Sequence, residues 1–505
     1  MNVPSVGVGD LLSGSWELTQ RIFENLSFRE VARLRAVCKL WADVGAKILE
    51  KRRKLHYLTV HPHNIPTTEG KVSINGKSPS SLFEEFFEHI VSKPRYCVGF
   101  CNEDWLSRVD VFSREKEKEQ ITLTQYISSS LPSSCDFALI SATGIIGTVE
   151  QNYQGHWLES ANRLNREMLS FLLNKENRGK RPNKRRRRSN SQEPSENESE
   201  MQDMASITDG AAIDVQNPFN SSESSSALTE SSNASTKRST VGYSIEVEAR
   251  WNPSQRQADA VTLLLIPHHP GVKMKFFHIL EDNFVKDCGD VEVNYDNIVI
   301  SPEEFNKMTS LTPDDDLKAL LLFDIGFPEG LTTAVLHSAL SRQNQKVAVG
   351  GGVIESFDCG GKKNQSKSNF GIAISGPNVM AASVIIPMHV GNPKALEEYM
   401  KMLKMCGLPE EQSFAFIFTC CGRGFTWYRR RGNPWFDYNN MESKAFRKVF
   451  PNTPVFGFFG GGEIGVSYLP KFNDVDTEVE ESPPKKRKKN FFHRFTTVIV
   501  LLSFL

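Results

Sequence analysis

The sequence predicts an α+β protein in which a small three-helix module at the N-terminus precedes a mixed α/β region of layered sheets. Residues 16–44 carry apolar side chains at helical spacing, and beyond residue 55 short strand-like runs alternate with amphipathic segments. A chain of 505 residues is long enough for two to four domains. We place the helical module at 14–50, α/β portions at 55–175 and 241–505, and an insertion at 176–240.

The helical module is predicted from side-chain spacing and from one capping pattern. Leu18, Ile22 and Leu26 fall at i, i+4 and i+8, which forms one apolar stripe along a first helix. Ser27 stands three residues before Glu30, the pattern of a capping box, so a second helix should begin there. A third short helical piece continues the apolar face. The apolar positions of the module are Leu18, Ile22, Phe23, Leu26, Val31, Leu34, Val37, Cys38 and Trp41.

This module is too small to bury a core by itself. Domains below roughly 40 residues usually need a metal, disulfides or a partner, and the segment has no cysteine cluster. Its surplus apolar surface must therefore be covered by another surface, on this chain or on a different one. The alternative is an ordinary helical hairpin packed on its own domain.

The α/β portions are predicted from apolar runs of differing length and period. In the first portion we expect strands at 56–60, 96–100 and 135–144, and helices at 80–91, 122–131 and 160–173. In the second we expect strands at 243–251, 260–267, 274–280, 317–326, 346–354, 413–421 and 495–503. We also expect a hairpin at 370–387, a strand pair at 455–469, and helices at 330–342, 395–405 and 443–450.

Two segments have the composition of loops. Residues 178–188 hold eight basic side chains, and 189–239 hold fourteen serines with Phe219 as the one aromatic residue. Such a segment cannot bury enough apolar surface to offset its ordering entropy. It predicts a disordered insertion that interrupts a domain, because the strand pattern resumes at 243. A second, charged loop spans 473–490.

Both loop segments contain a basic run typical of a nuclear import signal, which predicts a protein of nucleus and cytoplasm. Solvated charge or non-specific RNA contact is the alternative. The net charge is +0, so no overall field steers the chain to nucleic acid or to a membrane, and we expect neither as a partner. The basic residues are Lys184, Arg185, Arg186, Arg187, Arg188, Lys485, Lys486, Arg487, Lys488 and Lys489.

The pattern of residues 16–44 resembles the F-box, a three-helix module that docks onto the Skp adaptor of SCF ubiquitin ligases. Gly14-Ser15 stands where that family usually has Leu-Pro. The runs TCCGRGFTWY (419–428) and PVFGFFGGGEIG (454–465) resemble the C-terminal FIST domain. Together the resemblances imply a non-catalytic substrate receptor that binds the Skp adaptor, and through it cullin and RING subunits, while the FIST region holds a protein substrate. They imply no cofactor.

Two other functions are compatible with the same residues. FIST domains are regarded as small-ligand sensors, so the chain would be a ligand sensor whose N-terminal helices form a dimer or scaffold contact. A chromatin-associated adaptor with basic tails would be compatible with either assignment.

The second FIST-like run supplies the first ligand or substrate candidates. Gly460, Gly461 and Gly462 let backbone N–H groups approach a ligand or another strand, and Glu463 would offer a carboxylate to an amine. A tight turn in a sheet core, with Glu463 hydrogen-bonded to nearby backbone, is the alternative.

The first FIST-like run supplies a thiol candidate. Strand alternation should direct Cys420 and Cys421 to opposite faces, so that one thiol meets the Gly-Arg-Gly turn. There backbone N–H groups and the Arg423 guanidinium would lower the pKa of the thiol. Cys420 is the preferred member, since it matches the family's Cys-x-Gly-Arg-Gly-Phe pattern. Two small apolar residues filling a strand end are the alternative.

Other chemistry is not expected from the sequence. Nine cysteines, an odd number without framework spacing, favour free thiols in a reducing compartment. Cys97 with Cys101 and His268 with His269 lack the second ligand pair of a metal site, and no nucleophile triad can be assembled. The first residues lack the pattern of a signal peptide. The final run 496–505 favours a buried strand over a membrane anchor, since a span needs about 20 residues.

Overall fold

The computed structural model describes residues 15–60, 79–102, 105–106, 109–114, 117–149, 243–248, 260–280, 299–325, 330–359, 362–363, 368–424, 427–428, 440–470 and 490–505. All of them lie in one unit, which comprises residues 1–157 and 239–505. The predicted helix at 160–173, the insertion at 176–240 and nearly all of the loop at 473–490 lie outside the described residues, as does the second unit, 158–238.

The helices of the described part are few and short. They are α1 (Trp16–Phe23), α2 (Phe28–Leu34), α3 (Lys39–Lys51), α4 (Pro79–His89), α5 (Leu123–Ser130), α6 (Pro302–Thr309), α7 (Leu331–Arg342), α8 (Pro393–Met405) and α9 (Met441–Val449). None of these helices is long and apolar enough to cross a membrane.

Strands make up most of the remaining structure. They are β1 (His56–Val60), β2 (Pro94–Cys101), β3 (Val109–Arg114), β4 (Glu117–Thr122), β5 (Asp136–Ser141), β6 (Gly144–Val149), β7 (Tyr243–Val247), β8 (Val261–Pro267), β9 (Lys273–Leu280), β10 (Leu317–Ile325), β11 (Ala348–Ile354), β12 (Ser356–Cys359), β13 (Lys362–Lys363), β14 (Ser368–Ser375), β15 (Val379–Ile386), β16 (Ser413–Cys420), β17 (Val455–Gly460), β18 (Glu463–Ile464), β19 (Phe492–His493) and β20 (Thr497–Phe504).

Local sequence signals set the helix starts. The Ser15 hydroxyl accepts a hydrogen bond from Leu18 N at the start of α1. Ser27 and Glu30 form both hydrogen bonds of the predicted capping box. Thr122 and Gln125 form another at α5, where the sequence predicts a helix at 122–131. These side chains satisfy backbone N–H groups that a helix leaves without partners.

Three six-stranded sheets share one strand pattern. Their orders are β1-β8-β2-β5-β12-β13, β9-β14-β10-β11-β18-β19 and β15-β20-β16-β17-β6-β7, which we call the first, second and third sheets. In each sheet the third and fourth strands are parallel and all other neighbours are antiparallel. The described part of the chain therefore contains the same sheet three times.

The helices repeat with the sheets. The chain runs β1-α4-β2-α5-β5 in the first sheet, β9-α6-β10-α7-β11 in the second and β15-α8-β16-α9-β17 in the third, with other elements between some of these. A helix thus connects the two parallel strands of each sheet along the chain, since parallel neighbours need a long crossover connection.

Phenylalanines from the inner strands join the three sheets. Phe100 of the first sheet lies 6.4 Å from Phe323 of the second and 6.0 Å from Phe416 of the third, measured between ring centroids. All three rings are 0% exposed. Burial of this aromatic surface stabilises the packing of the three sheets against one another.

Glycines allow two of the parallel pairs to form. Gly351 has φ 139° and Gly457 has φ 154°. A Cβ at either position would lie 1.8 Å from the carbonyl oxygen of its strand partner, Leu322 or Ile417. Gly351 therefore lies inside the continuous strand β11, and Gly457 inside β17, because only glycine tolerates that conformation there.

The structure differs from the prediction in how strands pair. The predicted hairpin at 370–387 is wrong, because β14 belongs to the second sheet and β15 to the third. The predicted strand pair at 455–469 is also wrong, since β17 lies in the third sheet and β18 in the second. Strands from before and after the insertion share the first and third sheets, where β1 pairs with β8 and β6 with β17. Residues 1–157 and 239–505 thus belong to one compact unit.

Candidate functional site

The helical module has a small core of its own. Phe23, Val31, Val44 and Ile48 bury their side chains together. Phe23 meets Trp41 edge to face, with ring centroids 5.5 Å apart. This core holds the three helices in a fixed arrangement.

The nine apolar positions predicted to bind an adaptor differ in exposure. Phe23 and Val31 are 1% and 0% exposed, so they support the module from inside and cannot contact a partner. Leu18 and Val37 are 41% and 61% exposed. The other five are partly buried: Ile22, Leu26, Leu34, Cys38 and Trp41. We call Leu18, Val37 and these five the outer apolar set.

The rest of the chain covers one side of the module. Phe28 packs in the core beneath the first sheet, and its N–H donates to Ile90 O at 2.9 Å. Arg52 donates to Phe23 O at 2.7 Å and to Val91 O at 2.6 Å. The surplus apolar surface is thus covered on one side by this chain, while the outer apolar set still meets solvent.

The Cys420 thiol and the Cys421 thiol lie in different environments. Cys420 ends β16 and is 5% exposed, whereas Cys421 begins a 3₁₀ turn, Cys421–Arg423, and is exposed. A hydrogen bond from Cys420 lowers the pKa of the Cys421 thiol to about 7, and the Gly422 backbone also lowers it. The same thiol–thiol hydrogen bond, together with burial, raises the pKa of Cys420. Cys421, rather than the preferred Cys420, therefore begins the glycine turn and has the lower thiol pKa, which makes it the candidate for reaction with an oxidant.

Arg423 does not activate either thiol. Its side chain is fully buried and pairs with Glu442, with Nε 2.8 Å from Oε1. Its other nitrogens donate to the carbonyls of Pro387, Val390 and Phe495 at 3.2, 2.8 and 3.2 Å. The expectation that its guanidinium stabilises a thiolate is wrong, because these partners occupy the charge. Arg423 instead connects two loops, the one containing Pro387 and Val390 and the one containing Phe495, to α9.

Residues around Arg423 complete a buried polar cluster that the sequence did not reveal. The Tyr428 hydroxyl donates to Glu442 Oε1, and Thr497 Oγ1 donates to the same oxygen at 3.0 Å. Glu442 lies in the first turn of α9, where an acidic residue is ordinarily a solvated helix-start residue. No local pattern distinguishes it, because its partner lies 19 positions earlier in the chain.

The glycine run approaches another strand rather than open space. Gly461 N donates to Val353 O at 3.1 Å, and Val353 N donates to Gly462 O at 2.9 Å. A Cβ on Gly460 would lie 2.5 Å from Val353 O. Of the two uses we considered for Gly460–Gly462, the close approach of a neighbouring strand is the one observed.

Glu463 is buried beside the thiols. Its side chain is 1% exposed, and Oε2 accepts hydrogen bonds from Thr496 Oγ1 at 2.6 Å and from Thr496 N at 3.2 Å. Oε1 has no hydrogen-bond partner among the described residues. Burial raises the pKa of Glu463 well above its usual range, and the adjacent Cys420 thiol raises it further. The site thus joins Cys420, Cys421 and Glu463 and leaves Arg423 out.

Some predicted residues fall elsewhere. The basic residues of both import runs lie outside the described residues. In the part of the chain that the structure describes, no three His, Cys, Asp or Glu side chains group as a metal site would require. Cys97 and Cys101 are buried on one face of β2, where they pack among apolar side chains.

Comparison with known proteins first gives the class of the helical module. Residues 15–48 match the F-box domain, so the chain has an F-box region followed by a mixed α/β region. The chain is also similar to F-box only protein 22 of Homo sapiens and of Pongo abelii, at 27% identity over 245 residues in each case. These alignments cover 47% of this chain and 55% of each relative, so the chain spans about half the length of the curated relatives it matches.

Solved structures give a weaker likeness. A cyanuric acid hydrolase aligns with a TM-score of 0.24 at 9% identity, and one from A. caulinodans with 0.23 at 7%. Each alignment covers 49% of this chain and 75% of the other. TM-scores below 0.5 establish neither a shared fold nor a shared activity.

Proposed function

We propose that this protein is a substrate-recognition subunit of an SCF-type ubiquitin ligase. The F-box region binds the Skp adaptor, and through it the cullin and RING subunits, and the α/β region, as a FIST domain, holds a protein substrate for ubiquitination and degradation. The F-box match at residues 15–48 is the observation that carries this proposal. Similarity to F-box only protein 22 over about half the chain supports it.

The outer apolar set supplies the adaptor contact. Leu18 and Val37 are the most exposed of the set, and burying a side chain of this size contributes about 1.5–3 kcal/mol. Phe23 and Val31 act indirectly by fixing the helices. Few interface residues dominate such binding, and they are the ones that become fully desolvated.

The attachment of the module suits this role. Arg52 and Phe28 hold the helices against the α/β region through buried packing and backbone-directed hydrogen bonds. A substrate held by that region would then keep a defined position relative to the adaptor. Such a subunit is not itself catalytic; it accelerates transfer by raising the effective concentration of a substrate lysine.

The two basic runs bear on where in the cell the protein resides. The basic runs at 184–188 and 485–489 direct the protein to the nucleus, with a fraction remaining in the cytoplasm. Clusters of lysine and arginine are recognised electrostatically by acidic import receptors.

Two exposed positions provide the test. We expect Leu18→Glu/Val37→Glu to abolish recovery of the Skp adaptor and cullin in affinity purification with mass spectrometry, because charge would be buried at the contact. Val299→Glu is the matched control, since Val299 is an apolar residue that is 88% exposed outside the module. The same experiment gives candidate substrates, which should persist with the double variant.

Adaptor binding that survives the double substitution would refute the docking surface. Absence of adaptor and cullin with the wild-type chain would refute the ligase role. The ligand-sensing scaffold would then become the better assignment.

A further inference from the structure

The junction of the second and third sheets holds two adjacent thiols and a buried carboxyl. Cys420 is 5% exposed, Cys421 is exposed, and Glu463 beside Cys420 is 1% exposed. Glu463 Oε1 lacks a hydrogen-bond partner among the described residues, although its other oxygen has two. Burying a carboxylate oxygen in this way is costly. The thiols and this carboxyl lie outside the outer apolar set.

We propose that Cys420 and Cys421 form a reversible redox site, at which a peroxide oxidises the exposed Cys421 and Cys420 then closes a disulfide between the adjacent residues. This inference is independent of the proposed ligase function. The oxidant is a small hydroperoxide, with hydrogen peroxide as the simplest case.

The first step takes place at Cys421. Its sulfur, as thiolate, attacks one peroxide oxygen; the O–O bond breaks, and the departing hydroxide takes a proton to become water. The product is a sulfenic acid on Cys421. Exposure gives the peroxide access, and the hydrogen bond donated by Cys420 stabilises the thiolate, whose pKa is about 7.

The second step uses Cys420. Its sulfur attacks the sulfur of the sulfenic acid, the S–S bond forms, and the S–O bond breaks. The hydroxyl leaves as water with the proton that Cys420 loses. Thr496 links Glu463 to Cys420, because Thr496 O accepts from Cys420 N at 3.1 Å while Thr496 N and Oγ1 donate to Glu463 Oε2 at 3.2 and 2.6 Å. The Glu463 carboxyl is therefore close enough to Cys420 to relay that proton. Overall, two thiols lose two hydrogen atoms and one peroxide becomes two waters.

The chain geometry makes such a disulfide easy to reverse. Adjacent Cα atoms are about 3.8 Å apart, whereas disulfides prefer Cα separations of about 4.4–6.8 Å. A strained disulfide has a more oxidising potential and is readily reduced by thiols. Closure would also pull the 3₁₀ turn, in which Gly422 lies against the ring of Phe495. The oxidised form should therefore differ at this surface.

Trapping the intermediate tests the order of the two steps in the full-length chain. Hydrogen peroxide should convert the wild type to a 420–421 disulfide, detected as loss of two hydrogens in the peptide 413–428, with little dimedone adduct. In Cys420→Ser the sulfenic acid cannot condense, so dimedone labelling of Cys421 should rise about tenfold. Cys421→Ser should show neither product. Glu463→Gln should retain the first step and accumulate dimedone adduct by slowing the second.

A measurement without substitutions keeps the proposal open to refutation if a variant fails to fold. Phenylarsine oxide binds paired thiols, so the reduced wild type should bind it and be protected from iodoacetamide at both cysteines. After peroxide treatment the protein should no longer bind the arsenical, and a thiol reductant should restore binding. Cys406, a single buried thiol, is the internal control. Wild type that accumulates a Cys421 sulfenic acid without a disulfide, oxidation that begins at Cys420, or equal dimedone labelling in wild type and Cys420→Ser would each overturn the proposal.

Discussion

Replacing Arg423 by methionine should lower the free energy of unfolding by about 3–5 kcal/mol, the usual loss when one partner of a buried ion pair is removed. Both side chains of the pair are buried, at 0% and 1% exposure, with Nε 2.8 Å from Glu442 Oε1. Methionine keeps most of the volume but leaves the Glu442 carboxylate without its counter-charge. It also leaves the carbonyls of Val390 and Phe495 without the guanidinium donor, whereas Pro387 O still accepts from Val390 N at 3.0 Å.

An exposed ion pair in the same unit gives the control. Lys448 Nζ lies 2.6 Å from Glu397 Oε1, but the lysine side chain is 66% exposed. Lys448→Met should therefore change the free energy of unfolding by no more than about 1 kcal/mol. Arg423→Met/Glu442→Leu should recover part of the loss, because no buried charge remains.

Urea unfolding followed by tryptophan fluorescence measures these changes. Trp427 reports on the region directly, since it stacks on Phe495 with ring centroids 5.5 Å apart. Midpoints are compared at a common slope, so that a shift reflects stability alone. The reasoning fails if Arg423→Met costs no more than Lys448→Met.

Three further predictions concern other parts of the molecule. Phe23→Ala should destabilise the helical module by about 3–5 kcal/mol, seen as lost hydrogen-exchange protection over α1–α3, whereas Leu18→Ala should change it by less than about 0.5 kcal/mol. Withdrawal from water raises the pKa of Glu246 from 4.5 to about 8. The folded state therefore holds the proton more tightly, and the free energy of unfolding should fall as pH rises between these values. The fall should be smaller in Glu246→Gln, and an equal fall in that variant would contradict the prediction. Deleting 176–240 should leave adaptor binding intact, since loop closure depends only weakly on length, and should reduce nuclear accumulation, further so with 485–489 neutralised; unchanged nuclear signal in the double variant would remove the import assignment.

Local features of the fold could be predicted from the sequence. The capping box of Ser27 and Glu30, the strand at 56–60 and the helix ending at Arg342 depend on neighbouring residues alone, and all are present. Strand pairing could not be predicted in the same way. β14 and β15 are joined by the turn at Gly376-Pro377, which looks like a hairpin, but each strand finds partners far away in sequence.

In the candidate site, too, local features could be predicted and contacts between distant segments could not. Alternation along a strand predicts that one thiol is buried, and one is. Which thiol is reactive depends on where the strand ends, and β16 stops at Cys420, so that Cys421 already belongs to a turn. Arg423 is close to the thiols in sequence, which favours the prediction that its guanidinium lowers the pKa of a thiol. Its real partner, Glu442, is brought to it by packing of α9 against the third sheet.

The repeated sheet pattern allows the lengths of equivalent connections to be compared. Each sheet ends in an antiparallel hairpin: β12 and β13 pair at Cys359 and Lys362, β6 and β7 at Val149 and Tyr243, and β18 and β19 at Ile464 and Phe492. The first of these has a two-residue connection, whereas the other two contain the long segments that hold the two basic runs. In chain order, both runs therefore fall in the connection between the last two strands of a sheet. The short connection between Cys359 and Lys362 is the equivalent position in the first sheet. A fluorescent or affinity tag inserted there should leave the strand order unchanged, because the other two sheets keep the same order with long connections at that position.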